Sequence, residues 1–208
     1  SFTHMSGVGW YGDLGNFLVM PTTGDLKTFK GTDENPEEGY RSRYSHDREQ
    51  ATAHRYTVML DDYQIKAELA SAPRSGMIRF TYPKSEVSRI QIDLARRIGG
   101  TSTEQYVEVV DDYTIKGWMK CTPETGGWGD GDGKANYTVY FHCCFDRPLK
   151  NFGVWRADIP EGVARKNASN DDPAYYEYIK NARILPMQKV AQGKHLGFYT
   201  EFPTEEGD

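Results

Sequence analysis

The feature that most constrains this chain is an alternation of period two that recurs along most of its length. Between Arg55 and Leu60, the residues Tyr56, Val58 and Leu60 fall on one side and Arg55, Thr57 and Met59 on the other. From Tyr63 to Leu69, Tyr63, Ile65, Ala67 and Leu69 oppose Gln64, Lys66 and Glu68. Ile90, Ile92 and Leu94 oppose Arg89, Gln91 and Asp93, and Tyr137, Val139, Phe141, Cys143 and Phe145 line one face of the longest candidate strand. Successive side chains of a strand point to opposite faces, so each run describes a strand with one face for a core and one for water. Further strands are expected at Phe17–Met20, Met77–Tyr82, Gln105–Val110, Tyr113–Cys121, Phe152–Arg156 and Leu196–Phe202.

An internal echo adds detail. Asp61-Asp62-Tyr63-Gln64-Ile65-Lys66 returns fifty positions later as Asp111-Asp112-Tyr113-Thr114-Ile115-Lys116, each copy set between two alternating runs. Two hairpins follow, each turning on aspartates able to bond their own backbone. Thr32–Tyr40 and Gly126–Gly133 read as surface loops, and Asp171–Ala182 as the one helix, with Pro173 near its start and Tyr175 and Ile179 four apart. With no linker in sight, residues 1–208 read as one all-β domain, an antiparallel β-sandwich with one short helix.

Composition narrows the partners. A net charge of −5 argues against nucleic acid, and the pairs Arg41/Arg43 and Arg96/Arg97 read as solvated faces. Mean hydropathy is −0.72 and no run approaches a membrane span, so no membrane partner is expected. The chain opens without a signal peptide, as a processed, truncated or cytosolic protein would. Fourteen tyrosines and four tryptophans suit strands and also sugars, whose C–H faces stack on aromatic rings. Cys143 and Cys144, adjacent on a strand, face opposite sides, so the three cysteines read as free thiols.

Few residues carry chemistry. The stretch from Thr3 to Gly15 sets His4, Ser6, Trp10 and Asp13 among four glycines, which is either a loop bringing backbone close to a ligand or a floppy leader. His46 reads as an ordinary loop histidine, and His142 with Cys144 lacks the second ligand pair a metal needs. Asp130-Gly131-Asp132-Gly133 lacks the remaining ligands of a calcium loop, and Trp128 beside it is either a ligand platform or packed on a sheet. The aspartate pairs at 61/62, 111/112 and 171/172 are poor acid/base couples, since strand neighbours diverge. No catalytic residue and no metal ligand is therefore expected in the chain.

Taken in order, several stretches resemble glycoside hydrolase family 92. Thr3 to Trp10, with Gly12-Asp13-Leu14-Gly15-Asn16 and Met20-Pro21-Thr22, is similar to the family's "THxSGxG…GDxGxxxxMP". Ser45-His46-Asp47-Arg48-Glu49 with Tyr56 to Leu60 resembles "SHxxE…YYSVxL"; Asp62 to Gly76 resembles "DYGIxAELTATxRxG", and Arg79 to Pro83 "HRYTFP". Gly126-Gly127-Trp128, Val139-Tyr140-Phe141 and Phe152-Gly153-Val154-Trp155 follow in the family's order. Each motif alone is weak, whereas the ordered series is specific. Three features depart from the pattern. Phe2 replaces a histidine, so that histidine's role is not carried over; Tyr11 lengthens one spacing by a residue; and Ala164 to Val190 does not align.

The resemblance implies a supersandwich-like N-terminal β-domain of a secreted, periplasmic or cell-surface bacterial exo-α-mannosidase, calcium-dependent and inverting. A C-terminal (α/α)6 barrel would be the partner, carrying the calcium, the general acid and the general base. The chain would be an incomplete fragment that helps form the pocket for a mannose-containing glycan. Within it, the resemblance points to Trp10, stacking on the leaving-group sugar, and to His4, Ser6 and Gly7 as substrate-binding residues, with Trp10 implying α-1,2-linked mannose. Two alternatives stay open: a free-standing carbohydrate-binding module, and a scaffold that only supports the barrel.

Overall fold

The computed structural model describes residues 15–97, 100–122, 136–163 and 173–208, and the statements below concern these residues. They form strands β1 (Leu18–Thr23), β2 (Glu49–Ala51), β3 (Arg55–Leu60), β4 (Ile65–Ala72), β5 (Ser75–Thr81), β6 (Ser85–Asp93), β7 (Arg96–Arg97), β8 (Gly100–Thr101), β9 (Glu104–Asp111), β10 (Thr114–Cys121), β11 (Tyr137–Cys144), β12 (Asn151–Arg156), β13 (Arg183–Pro186), β14 (Val190–Gly193) and β15 (Leu196–Thr204). The helix α1 spans Pro173–Lys180. The sheets run β1-β6-β15-β12-β13, β11-β10-β9-β14 and β2-β3-β4-β5, with a small β7-β8 ribbon. The chain divides into two compact units, one built on residues 15–19 and 91–200 and the other on 20–90 and 201–208, the divide falling within β1, β6 and β15.

In the first unit two sheets pack through their apolar faces. Ile92 on β6, Phe152 and Val154 on β12, and Leu196 and Phe198 on β15 meet Val107 on β9 and Ile115 on β10 in one buried cluster. Burying each such side chain contributes about 1.5–3 kcal/mol relative to exposure. The alternation on β11 falls as the sequence indicates, with Tyr137, Val139, Phe141 and Cys143 half-buried and Thr138, Tyr140, His142 and Cys144 exposed. Trp155 is fully buried, and Gly197 makes room for it: a Cβ there would stand 1.8 Å from the indole ring. On α1, Tyr175 and Ile179 are fully buried, and the Tyr175 hydroxyl lies 2.9 Å from His195 Nδ1.

Two expectations change on this side. Arg96 and Arg97 are buried rather than solvated, because they follow the fully buried Leu94 and Ala95 into β7 instead of lying on an outer face. Strands β13 and β14 were not apparent from sequence; β14 is short and pairs Val190–Gly193 with β9, while β13 pairs with β12.

The second unit holds β2-β3-β4-β5, a meander of antiparallel strands. Val58, Ile65 and Ala67 are buried on one face. The copies of the aspartate echo form the turns before β4 and β10, one in each unit, and they work differently. Asp111 accepts from the Tyr113 backbone N–H at 2.8 Å, a local turn bond. Asp61 and Asp62 instead hold Arg48 and Arg43, at 2.7 Å and 2.6 Å. Gln64 takes a left-handed φ of 52°, so Tyr63 stays in the turn and β4 begins at Ile65. Arg89 is buried within this unit and bonded through all three of its nitrogens, to Glu201 (2.6 Å), Thr22 (3.1 Å) and the Gly24 carbonyl (2.8 Å). A buried guanidinium is tolerable only with such bonding.

Glu68 is the chief departure from the alternation in this unit. It sits on the polar face of β4 yet its side chain is only 7% exposed, covered by Arg55, Arg79 (2.8 Å) and Lys66 (3.3 Å). The Arg79 hydrogen bond, with help from Lys66, pulls its pKa from an ordinary 4.5 down to about 2. A depressed folded-state pKa stabilises above the unfolded value and is lost as pH falls through the folded one. Glu68→Gln is thus expected to destabilise the protein at neutral pH, leaving three cations facing each other. In urea titrations the gap from wild type should narrow as pH falls from 4.5 toward about 2. A gap independent of pH would contradict the role assigned to the Glu68 carboxylate.

Candidate functional site

Trp10, His4, Ser6 and Gly7, the residues expected to meet a sugar, lie outside the described residues, as does Trp128 with the Gly126–Gly133 loop. What the structure describes is the end of that stretch, from Gly15 onward. Gly15 and Phe17 both have left-handed backbone, φ 85° and 59°. That conformation is free for glycine and costs a residue with a side chain about 1 kcal/mol. It is held by Asn16 between them, which is 1% exposed. Asn16 Nδ2 donates to the Tyr137 hydroxyl at 3.0 Å and to Met119 Sδ at 3.1 Å, and the Tyr137 hydroxyl lies 3.4 Å from Asn16 Oδ1. Burial pushes the Tyr137 phenol up from its ordinary range. Phe17 then lays its ring edge-on to Phe141, 4.7 Å between centroids.

The strand ends that grip Asn16 are Met119 and Cys121 on β10 and Tyr137 on β11. The segment bearing Trp128 runs between those same two strands in sequence. Asn16 closes the "GDLGN" stretch, so the motif's last residue is its structural anchor. Sequence alone groups it with the motif and gives it no task; a buried amide between Gly15 and Phe17, both of positive φ, identifies it.

Five described carboxylates, Glu49, Asp62, Glu68, Glu108 and Asp111, are drawn toward the charged form by bonded partners. Glu49 accepts from the Tyr56 hydroxyl at 2.6 Å and meets His46 Nδ1 at 2.5 Å, the former bond dominating the lowering of its pKa. Burial, followed by the bond to Glu49, pushes Tyr56 up to about 12. His46, read from sequence as a plain loop histidine, is exposed and caps this small network. Asp62 is lowered by its bond from Arg43, Glu108 by its bond from Tyr106, and Asp111 by the Tyr113 backbone N–H. A general acid working near neutral pH needs the opposite shift.

For the calcium that the resemblance implies, a hard cation requires six to eight oxygen ligands. Among the described residues no group of three or more His, Cys, Asp or Glu is placed to hold a metal. His142 Nδ1 and Cys144 Sγ lie 3.8 Å apart on the exposed face of β11. Beside α1, a cleft of about 410 Å³ is lined by Arg156, Asp158, Glu177, Tyr178, Asn181 and Arg183. Its two arginines converge on Asp158, at 3.2 Å and 2.7 Å, and with Glu177 also in the lining its charges cancel.

Antiparallel sheets packed through one apolar face, with one short helix, define a mostly-β domain. The chain belongs to glycoside hydrolase family 92: residues 1–208 match the Glycosyl hydrolase family 92 N-terminal domain. Its fold is similar to that of the family GH92 α-mannosidase BT3965 from Bacteroides thetaiotaomicron, at TM-score 0.72 and 34% identity over 94% of this chain and 23% of that one. The complex of that enzyme with mannoimidazole gives TM-score 0.70 and 34% identity, over 94% and 22% of the two chains. The family GH92 inverting mannosidase BT2199 from Bacteroides thetaiotaomicron VPI-5482 shares the fold at TM-score 0.62 and 18% identity, over 96% and 21%. The chain thus spans less than a quarter of the length of these solved relatives. No curated protein matches it.

If Asn16 fixes the exit of the opening loop, its amide and the Tyr137 hydroxyl should act as one unit. Asn16→Ala is expected to destabilise by about 2 kcal/mol, the scale of leaving a buried partner unsatisfied. In a double-mutant cycle with Tyr137→Phe, the two losses should fall short of additivity by about 1 kcal/mol. Full additivity in chemical unfolding would show that the two do not support each other.

Proposed function

We propose that this chain is the substrate-side wall of a calcium-dependent, inverting exo-α-mannosidase acting on mannose-containing glycans, with α-1,2 linkages the preferred class. The observation that carries this is the 34% identity to an α-mannosidase across 94% of the chain, joined to a family match over its full length. In the inverting reaction one carboxylic acid protonates the leaving oxygen while a carboxylate, about 6.5–9.5 Å away, activates water on the opposite face of the sugar. Both groups, and the calcium, are assigned to an (α/α)6 barrel elsewhere in the same protein, acting at the bacterial cell surface, in the periplasm or outside the cell.

This chain's share is to bind and orient. Trp10 stacks on the leaving-group sugar, and His4 with Ser6 and Gly7 supplies hydrogen bonds to its hydroxyls. Three things support that assignment: the "THxSGxG" match of residues 3–9, the glycines that let backbone approach a ligand, and the rigid hold on Asn16 at the loop's exit. A loop fixed at its base positions its side chains with less entropy lost on binding.

Trp10→Ala in the whole enzyme is expected to raise KM or lower kcat/KM on α-1,2-mannobiose by roughly tenfold, the scale of losing one aromatic anchor. Steady-state kinetics decide the matter, and unchanged constants would remove Trp10 from the site. Calorimetry of the isolated chain with mannose and α-mannobioses distinguishes the half-site from a free-standing binding module. A half-site needs the barrel and shows no affinity alone.

A further inference from the structure

The outward face of the four-stranded sheet β11-β10-β9-β14 carries a row of aromatic side chains that the core does not use. Trp118 on β10 is the direct cross-strand partner of Tyr140 on β11 and of Tyr106 on β9, and Tyr106 in turn faces Gln192 on β14. With adjacent strands about 4.8 Å apart, the three rings make a strip about 10 Å long. Tyr140 is 72% exposed. Tyr106 and Trp118 are half-buried, with rings within 10° of parallel and centroids 6.0 Å apart. Val107, Ile115 and Met119 on the inward face already supply the sheet's core contacts. Threonine or valine would serve as well at these outward positions for strand formation alone, and contiguous apolar surface rimmed by polar residues is the kind that marks an interaction site.

The surroundings indicate the chemistry of that ligand. Rows of charged residues flank the strip on both sides, Lys116 with Glu108 on one and Lys120 with Glu104 on the other, paired across β9 and β10. Two cations and two anions cancel, which suits an uncharged ligand and disfavours a phosphate, an acidic peptide or a basic one. Glu108 bonds both the Tyr106 hydroxyl, at 2.8 Å, and Lys116, at 3.1 Å, while Gln192 donates to Glu104 at 2.8 Å. The ring of Tyr106 is thereby held in place before any ligand arrives, and carboxylate, amide and ammonium groups border the rings where hydroxyl groups would meet them. Apolar ring faces edged by neutralised polar groups fit a polyhydroxylated, uncharged molecule with a C–H face. We infer that the Tyr140–Trp118–Tyr106 strip binds a neutral oligosaccharide chain, holding polymeric glycan against the protein. This goes beyond the reading above and rests on it only for the choice of mannan as first probe.

The test uses the complete protein in native gels containing soluble mannan, with xylan and a mixed-linkage β-glucan in parallel, beside hydrolysis of α-1,2-mannobiose. Retardation by at least one polysaccharide is expected for the wild type. Trp118→Ala should weaken it roughly tenfold, and Tyr140→Ala should weaken it as well, its ring being too exposed for folding to depend on it. For both variants the loss on polymer should exceed any change in kcat/KM on the disaccharide. Wild-type mobility unaffected by all three polysaccharides, or variants retarded like wild type, would overturn the inference. So would a lowered Tm with unchanged retardation, which would mark the face as one covered by the rest of the polypeptide. Strip-dependent retardation without mannobiose hydrolysis would leave the strip standing while sinking the mannosidase reading, and hydrolysis with strip-independent retardation would do the reverse.

Discussion

A strand with a two-residue period can commit only one of its faces to a core, and what this protein does follows from where the other face and the strand ends are left. In the first unit the committed faces close on each other through Ile92, Val107, Ile115, Val154 and Phe198. That packing fixes the register of β9, β10 and β11, since a slip of one residue would turn every side chain to the wrong side. With register fixed, Met119, Cys121 and Tyr137 come together at one end of the sheet, and Tyr106, Trp118 and Tyr140 fall in line on its outer face. Neither arrangement is local in sequence; both are consequences of burying the opposite face.

The polar groups obey a complementary rule. Glu49, Asp62, Glu68, Glu108 and Asp111 are each drawn toward the ionised state by a bonded partner. Carboxylates held this way pin loops and strands and make poor proton donors at neutral pH. A domain built so is suited to presenting surfaces, and its family membership gives those surfaces a context: family 92 relatives several times its length, among them α-mannosidases.

Much of the fold was legible because alternation reports burial directly. The span of β3 and the inward and outward residues of β11 follow from it, and the apolar pair Tyr175 and Ile179 marks the buried side of α1. It failed where a polar side chain is buried by non-local partners. Nothing near Glu68 in sequence reveals that Arg55 and Arg79 close over it from both neighbouring strands, nor that Arg96 and Arg97 turn inward. The aspartate echo predicted the places of both turns but not that Asp62 would hold Arg43 rather than its own backbone. The motif series points to residues 4–10, which lie outside the described residues, and the structure adds the buried Asn16 that follows them. The aromatic strip was hidden because its members sit on three strands, and only cross-strand register lines them up.

The claim on which the rest turns is that the opening segment, fixed at Asn16, faces the sugar that the whole enzyme cleaves. A crystal structure of the complete protein with a non-hydrolysable α-1,2-mannobiose analogue tests it most directly. The account predicts side chains of residues 4–10 within about 4 Å of the leaving-group sugar, with Asn16 still bonded to Tyr137. An analogue bound with no atom of that segment in contact would contradict it.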